Sequence, residues 1–294
     1  MRHSVLRWYR RHGRDLPWRH TRDPYAILVS EIMLQQTQVS RVMPKYREFL
    51  RRFPTLRSLA AARLRDVLHR WSGLGYNSRA RRLWECARVI VTERSGTIPH
   101  DIHALRALPG VGRYTAGAIA SFAHGAAEPA VDTNIRRVLS RSLLGVDAAE
   151  ESTVWRIASE ALPRDAAEWN HALMDIGALF CRAKPSCDAC PLRTACAWRD
   201  LHAAELKLGH NPRSRAPDCT SERSESYRGS RRQHRGRVIR ALTQAPSLSL
   251  MRLGPQVKEG FSKTDLAWLH DLLGDLERDG LVTLNRSRTR AALP

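Results

Sequence analysis

The sequence predicts an all-α protein. Over residues 1 to about 200, apolar residues recur at three- and four-residue spacings, as in Val67, Leu68, Trp71 and Leu83, Ala87, Ile90. The alternation of a half-buried strand is hard to find there. Breaks at Pro54, Gly73, Gly75, Pro109 and Pro129 cut the pattern into segments of helix length. Near the end a smaller pattern follows, of helices and then a short hairpin.

In chain order, Tyr25 to Leu34 (YAILVSEIML) is long enough for a helix and apolar on nearly every side, with Glu31 as the exception. Asp101 to Ala107 can form a helix that Pro109 cannot continue. Gly110 and Gly112 permit a tight turn, and Tyr114 onward is helix-forming again. The stretch Leu108-Pro-Gly-Val-Gly-Arg-Tyr-Thr-Ala-Gly-Ala-Ile119 therefore reads as a helix-hairpin-helix. Asp132 precedes another helical pattern. From 201 to 232 the composition shifts to His, Arg, Ser, Pro and Glu, with too little apolar material to bury, which predicts a mobile basic linker. In residues 233–294, Val238, Ile239, Leu242 mark one helix and Leu266, Leu269, Leu272, Leu273, Leu276 another. Leu281-Val-Thr-Leu284, the polar turn NRSR and TRAAL complete a small winged-helix-like module.

Composition narrows the function. The chain has 294 residues, 43% of them hydrophobic, which is ordinary for a globular protein. No apolar run reaches the ~18 residues of a membrane span, and MRHSVLRWYRRHGR lacks the apolar core of an export signal. A cytoplasmic, nucleoid-associated monomer with no membrane partner is expected. Lys plus Arg number 49 against 29 Asp plus Glu, a formal net charge of +20, which points to a polyanionic partner. Four of the six cysteines, Cys181, Cys187, Cys190 and Cys196, crowd together, and in a reducing compartment this favours a metal site over disulfides.

Each motif also has a chemical reading. The glycines of the hairpin let its turn approach a phosphate while the amides opening the second helix point outward, a contact that positions DNA without reading sequence. A carboxyl such as Glu31, buried in an apolar helix, has its pKa raised by desolvation and becomes a competent proton donor near neutral pH; a Glu satisfied by a buried partner fits as well. Asp132, taken alone, reads as an N-cap worth about 1 kcal/mol. Four thiolates suit zinc or a [4Fe-4S] cluster, and spacing alone does not choose.

Taken together, SEIMLQQTQV, WSGLGYNSRARRL, LPGVGRYTAGAIASFA, VDTNIRRVLSR and the four cysteines resemble the MutY-type adenine DNA glycosylases of the endonuclease III-like helix-hairpin-helix superfamily. The resemblance spans residues 5 to 200. It implies a two-lobed helical glycosylase fold: a six-helix barrel lobe with the helix-hairpin-helix over 17–127, and a cluster-bearing lobe from 1–16 and 128–200. It implies a monofunctional enzyme that excises adenine opposite 8-oxoguanine or guanine, initiating base-excision repair on double-stranded DNA with mismatched or oxidised pairs. By similarity, Glu31 would protonate nitrogen-7 of the flipped adenine, and Asp132, ionised, would stabilise the oxocarbenium ion. Tyr114 and Asn134 match positions that arrange the catalytic pocket. Gln36 and Tyr76 match positions that enter the duplex, and Gly110 and Gly112 would hold the DNA backbone. The cysteines would ligate a [4Fe-4S] cluster. Lyase-type relatives carry a lysine at the position of Tyr114, whereas no lysine lies between Lys45 and Lys184.

Three departures qualify the resemblance. Five residues separate Cys181 from Cys187 where the family usually has six, so either a pinched loop or a labile cluster is expected. The tail is too short for the family's Nudix-like domain, making this a short form whose Arg228, Arg231, Arg232, Arg235 and Arg237 offer electrostatic DNA binding. His171 stands at a base-pocket position where relatives often carry Gln or Glu, and Asn77 stands where a second Tyr is common. The alternatives are a G:T mismatch thymine or uracil glycosylase of the same superfamily and, from another class, a non-catalytic iron-sulfur DNA-binding protein.

Overall fold

The computed structural model describes residues 1–204 and 227–294. Most of the expected linker, 205–226, lies outside the described residues. The helices in order are α1 (Arg2–His12), α2 (Pro24–Leu34), α3 (Val39–Arg52), α4 (Leu56–Ala60), α5 (Leu64–Trp71), α6 (Ser78–Glu93), α7 (Ile102–Arg106) and α8 (Arg113–Phe122). There follow α9 (Thr133–Leu144), α10 (Glu151–Glu160), α11 (Ala166–Leu179), α12 (Ala197–Leu201), α13 (Arg231–Gln244), α14 (Leu250–Val257) and α15 (Leu266–Arg278). The predicted all-α class holds. No helix among the described residues is long and apolar enough to cross a membrane.

Two compact units divide the described residues. One comprises 1–28, 99–107 and 111–204; the other comprises 29–98, 108–110 and 227–294. The lobe boundaries implied by resemblance fall near 16, 127 and 200, whereas these units break near 28, 98 and 110, the first break falling inside α2.

In the first unit α11 is the axis, packed against α1, α8 and α9. Arg10 of α1 makes a bidentate ion pair with Glu168 at 2.7 and 2.9 Å. Just past α1, Asp175 of α11 accepts from the Arg14 amide at 2.8 Å and from Arg14 Nε at 2.6 Å. Arg19 donates to both its oxygens at 2.9 and 2.7 Å. Burial works against the Asp175 charge, but the guanidinium of Arg19 foremost, with Arg14, holds its pKa below the usual carboxylate value. Gly177 lets α9 come close: a Cβ there would stand 2.5 Å from Asn134 Cβ.

In the second unit α4 and α5 pack on α6 around a core of Phe49, Phe53, Leu59, Leu68 and Trp71. The C-terminal module runs α13, β1 (Leu248–Ser249), α14, α15, β2 (Thr283–Leu284) and β3 (Arg290–Ala292). The sheet is antiparallel with order β1-β3-β2 and pairs Leu248 with Ala291 and Leu284 with Ala291. This element order is that of a winged helix; the sequence pattern marks α13, α15 and the closing hairpin but neither β1 nor α14, and α13 opens at Arg231, two residues earlier than the expected boundary. Its core is Val238, Leu242, Leu253, Leu269, Leu272 and Leu273.

Candidate nucleic-acid site and cysteine loop

Glu31 lies on a helix with no solvent-facing side. Tyr25 to Met33 are all buried, and Glu31 itself is 4% exposed. The next residues leave the helix through Gln36, whose backbone is left-handed at φ 53°. Forty residues on, Tyr76 is left-handed too, at φ 46°. Non-glycine residues seldom adopt this conformation, which costs of order 1–3 kcal/mol.

One buried side chain accounts for both loops. Arg79, 7% exposed, donates to the carbonyls of Ile32 and Met33, each at 2.9 Å, and to that of Gln35. Its other nitrogen donates to Thr37 Oγ1 at 2.9 Å and to the carbonyls of Leu74 and Gly75 at 3.3 and 3.2 Å. The guanidinium thus caps the C-terminus of α2 and ties the Gln36 loop to the Tyr76 loop. Burial lowers its pKa to about 10, so it stays a cation at neutral pH. Gln36 and Tyr76 are both exposed, Tyr76 with 39% of its surface free.

The hairpin is built as expected. Asp101 caps α7 by accepting from the Ala104 amide at 2.8 Å, and Gly112 is the N-cap of α8. The two glycines differ. Gly110 has φ +77° and a Cβ there would sit 2.9 Å from Arg82 Cβ, so the turn itself demands glycine. Gly112 has φ −86° and open space around it, so nothing in the fold requires its missing side chain. Tyr114 is partly exposed in the first turn of α8.

Asp132 is an N-cap, as its bare reading holds, and also the head of a relay. Its Oδ1 accepts from the Ile135 amide at 2.7 Å and its Oδ2 from Asn134 Nδ2 at 2.8 Å. Asn134 Oδ1 accepts from Arg137 at 2.9 Å; Arg137 donates also to the carbonyls of Gly177, at 2.8 Å, and Cys181. Burial raises the pKa of Asp132, and the Ile135 and Asn134 hydrogen bonds oppose that rise. His171 is stacked between Phe122 at 4.1 Å and Tyr9 at 6.4 Å. Burial, then Arg19, lowers its pKa to about 3, so it is a neutral ring.

The structure therefore gathers Asp132, Asn134 and the carbonyl of Cys181 in one unit, and Gln36 with Tyr76 in the other, which also carries Glu31. Arg79 and Arg137 were missed by sequence reading. Each lies inside a quoted motif, but its partners are backbone carbonyls that no residue spacing announces.

The four cysteines line one recess with Arg141 and Trp198. Within the short first spacing the Ser186 amide donates back to the Phe180 carbonyl at 2.9 Å. Arg141 steadies the loop by donating to the Arg182 carbonyl at 2.8 Å, with Cys181 Sγ at 3.7 Å. Among the described residues no three His, Cys, Asp or Glu side chains converge as ligands of a single ion. Four thiols lining one recess supply a soft donor set of the kind that zinc and iron–sulfur clusters take. Burial raises the pKa of Cys187, Cys190 and Cys196, that of Cys190 to about 12, so a bound cationic group would have to draw off their protons.

Comparison with known proteins defines the class first: residues 29–164 match the family model for HhH-GPD superfamily base excision DNA repair proteins. The chain is 41% identical over 293 aligned positions to the adenine DNA glycosylase of Mycobacterium tuberculosis, covering 95% of this chain and 89% of that one. It is 39% identical over 290 to that of Mycolicibacterium smegmatis, covering 95% and 91%. Among solved structures it is similar to a thermostable thymine-DNA glycosylase, with TM-score 0.63 and 31% identity over 68% of this chain and 94% of that one. The chain belongs to the adenine DNA glycosylase family within the HhH-GPD superfamily.

Proposed function

We propose that this protein excises adenine mispaired with 8-oxoguanine or guanine from duplex DNA and leaves the sugar-phosphate strand intact. The observation that carries the reading is Glu31, a carboxyl kept amid the buried residues 25–33 of α2 in a member of this family. The adenine leaves the base stack before its atoms can be reached. Glu31 gives its proton to nitrogen-7, the C1′–N9 bond breaks with its electron pair leaving on adenine, and positive charge develops on the sugar. Asp132 stabilises that charge, its ionised form aided by the hydrogen bonds from Ile135 and Asn134. Water then adds at C1′ and its proton returns to the Glu31 carboxylate. Tyr114 and Asn134 arrange the pocket, and His171 contacts the base edge as a neutral ring. Gln36 and Tyr76 fill the vacated duplex, and Gly110 with Gly112 hold its backbone.

Cys181, Cys187, Cys190 and Cys196 would hold a [4Fe-4S] cluster, whose contribution is to brace the loop they stand on. With Tyr114 where a lyase would carry its amine, no Schiff-base nucleophile follows the hairpin. The likeness to a thymine-DNA glycosylase favours a second reading, thymine removed from G:T.

Base release should be followed on duplexes with A, T and U opposite G and 8-oxoguanine, beside Glu31→Gln. The expected result is adenine release alone, strand breaks only after alkali, no activity in the variant, and iron with acid-labile sulfide in the preparation. Activity surviving in Glu31→Gln, or thymine released in place of adenine, would overturn the assignment; nicking at turnover rate would overturn the monofunctional part, and zinc without iron the cluster.

A further inference from the structure

The tail arginines separate into two groups. Arg231 pairs with Asp271 at 2.8 Å and with Asp275, and Arg235 with Asp279. Arg237 donates to the Val257 carbonyl at 3.0 Å. Three of the five arginines expected to attract DNA are thus spent inside the module. Arg232 differs. Among the described residues it has no carboxylate within ion-pair distance. Its guanidinium donates to the Tyr76 hydroxyl at 2.7 Å and lies 5.5 and 5.2 Å from the ring centres of Tyr76 and Tyr227. Tyr227 is 56% exposed.

The module is fixed where it makes this contact. Arg65 of α5 donates to the Thr243 carbonyl at 2.9 Å, and Arg81 of α6 to the Asp279 carbonyl at 2.6 Å. Its α15, the helix a winged-helix protein would lay in a groove, carries Asp271, Asp275 and Glu277, each paired with an arginine of the module, so it offers phosphates no excess positive charge. The basic, aromatic end of the module is instead the start of α13.

We propose that Arg232 is a positioning residue for Tyr76, through which the C-terminal module holds Tyr76 ready to enter the duplex while Arg232 itself faces the phosphate backbone beside it. The proposal rests on the reading of Tyr76 as a residue that enters DNA. A half-exposed tyrosine loses rotamer freedom on binding, and a ring already held by hydrogen bond and cation–π contact loses less. Tyr76 takes one of the five N–H donors of the guanidinium, so others remain for a phosphate oxygen.

The test uses the full chain, a G:A duplex, equilibrium binding and single-turnover base release. Arg232→Ala is expected to weaken binding roughly tenfold with an unchanged thermal midpoint. Arg232→Lys should rescue only in part, because an ammonium cannot keep the planar fork over the ring. Tyr76→Phe removes the acceptor, so in that background Arg232→Ala should cost clearly less than it does alone. Additive losses would overturn the proposal, as would a loss of binding that follows a fall in the thermal midpoint. If Tyr76→Ala itself binds and cleaves like the native protein, the underlying reading of Tyr76 fails. If Tyr76→Ala is impaired while Arg232→Ala is not, only the present proposal fails.

Discussion

Asp175 has no exposed surface and accepts hydrogen bonds from both Arg14 and Arg19, so its charge is stable only while those partners remain. Removing one side of such a buried pair typically costs about 3–5 kcal/mol. Asp175→Asn should therefore lower the free energy of unfolding by that order in urea titrations at neutral pH. The pKa of Asp175 is lowered by folding, so its contribution is complete above the unfolded value of ~3.9 and disappears as pH falls through the folded value. The gap between native protein and variant should accordingly close at acid pH. Glu31 was legible in the sequence because a lone acid interrupts an apolar helix. Asp175 interrupts HALMDIGAL in the same way and went unread, because its partners lie 156 to 161 residues away. Arg79 and Arg137 escaped for a related reason: an arginine reads as surface charge until the carbonyls it serves are known.

The helix-hairpin-helix separates a glycine required by folding from one that folding does not need. Gly110→Ala forces a left-handed alanine against Arg82 and should cost about 1–3 kcal/mol of stability. Gly112→Ala meets open space at an ordinary backbone angle and should leave the thermal midpoint nearly unchanged while weakening duplex binding roughly tenfold. Calorimetry beside a binding titration on both variants checks the pair; equal binding losses would remove the distinction. This motif was fully legible, since proline and glycine punctuate it locally. Of the winged-helix order, α13, α15 and the closing hairpin were legible from leucine spacing and a polar turn, whereas β1 and α14 were not. Short elements were not: α4 and the 3-10 turn at Pro17–Arg19 are shorter than two helical turns, so no period can announce them. Nor did the tail's arginine run disclose that its neighbours in space are the acids of α15.

For the molecule as a whole, a formal net charge of +20 predicts binding to DNA that is governed by released counterions. Raising salt from 50 to 200 mM should weaken duplex affinity by at least about tenfold, and by similar factors for matched and mismatched duplexes, as measured by fluorescence anisotropy. A salt-insensitive affinity would contradict a backbone-dominated contact. The charge was legible from composition alone, but its division between ion pairs and free surface depended on the fold. The far-reaching pairs of Arg10, Arg14 and Arg19 with α11 bear on how the chain is made. At translation speeds of ~5–20 residues per second, the N-terminal segment emerges roughly 10–30 s before Glu168 and Asp175 exist to receive it. An apolar segment left waiting that long would be exposed to aggregation or capture by chaperones. Instead MRHSVLRWYRRHGR is dense in arginine, so the nascent chain stays hydrated until the ribosome delivers its partner.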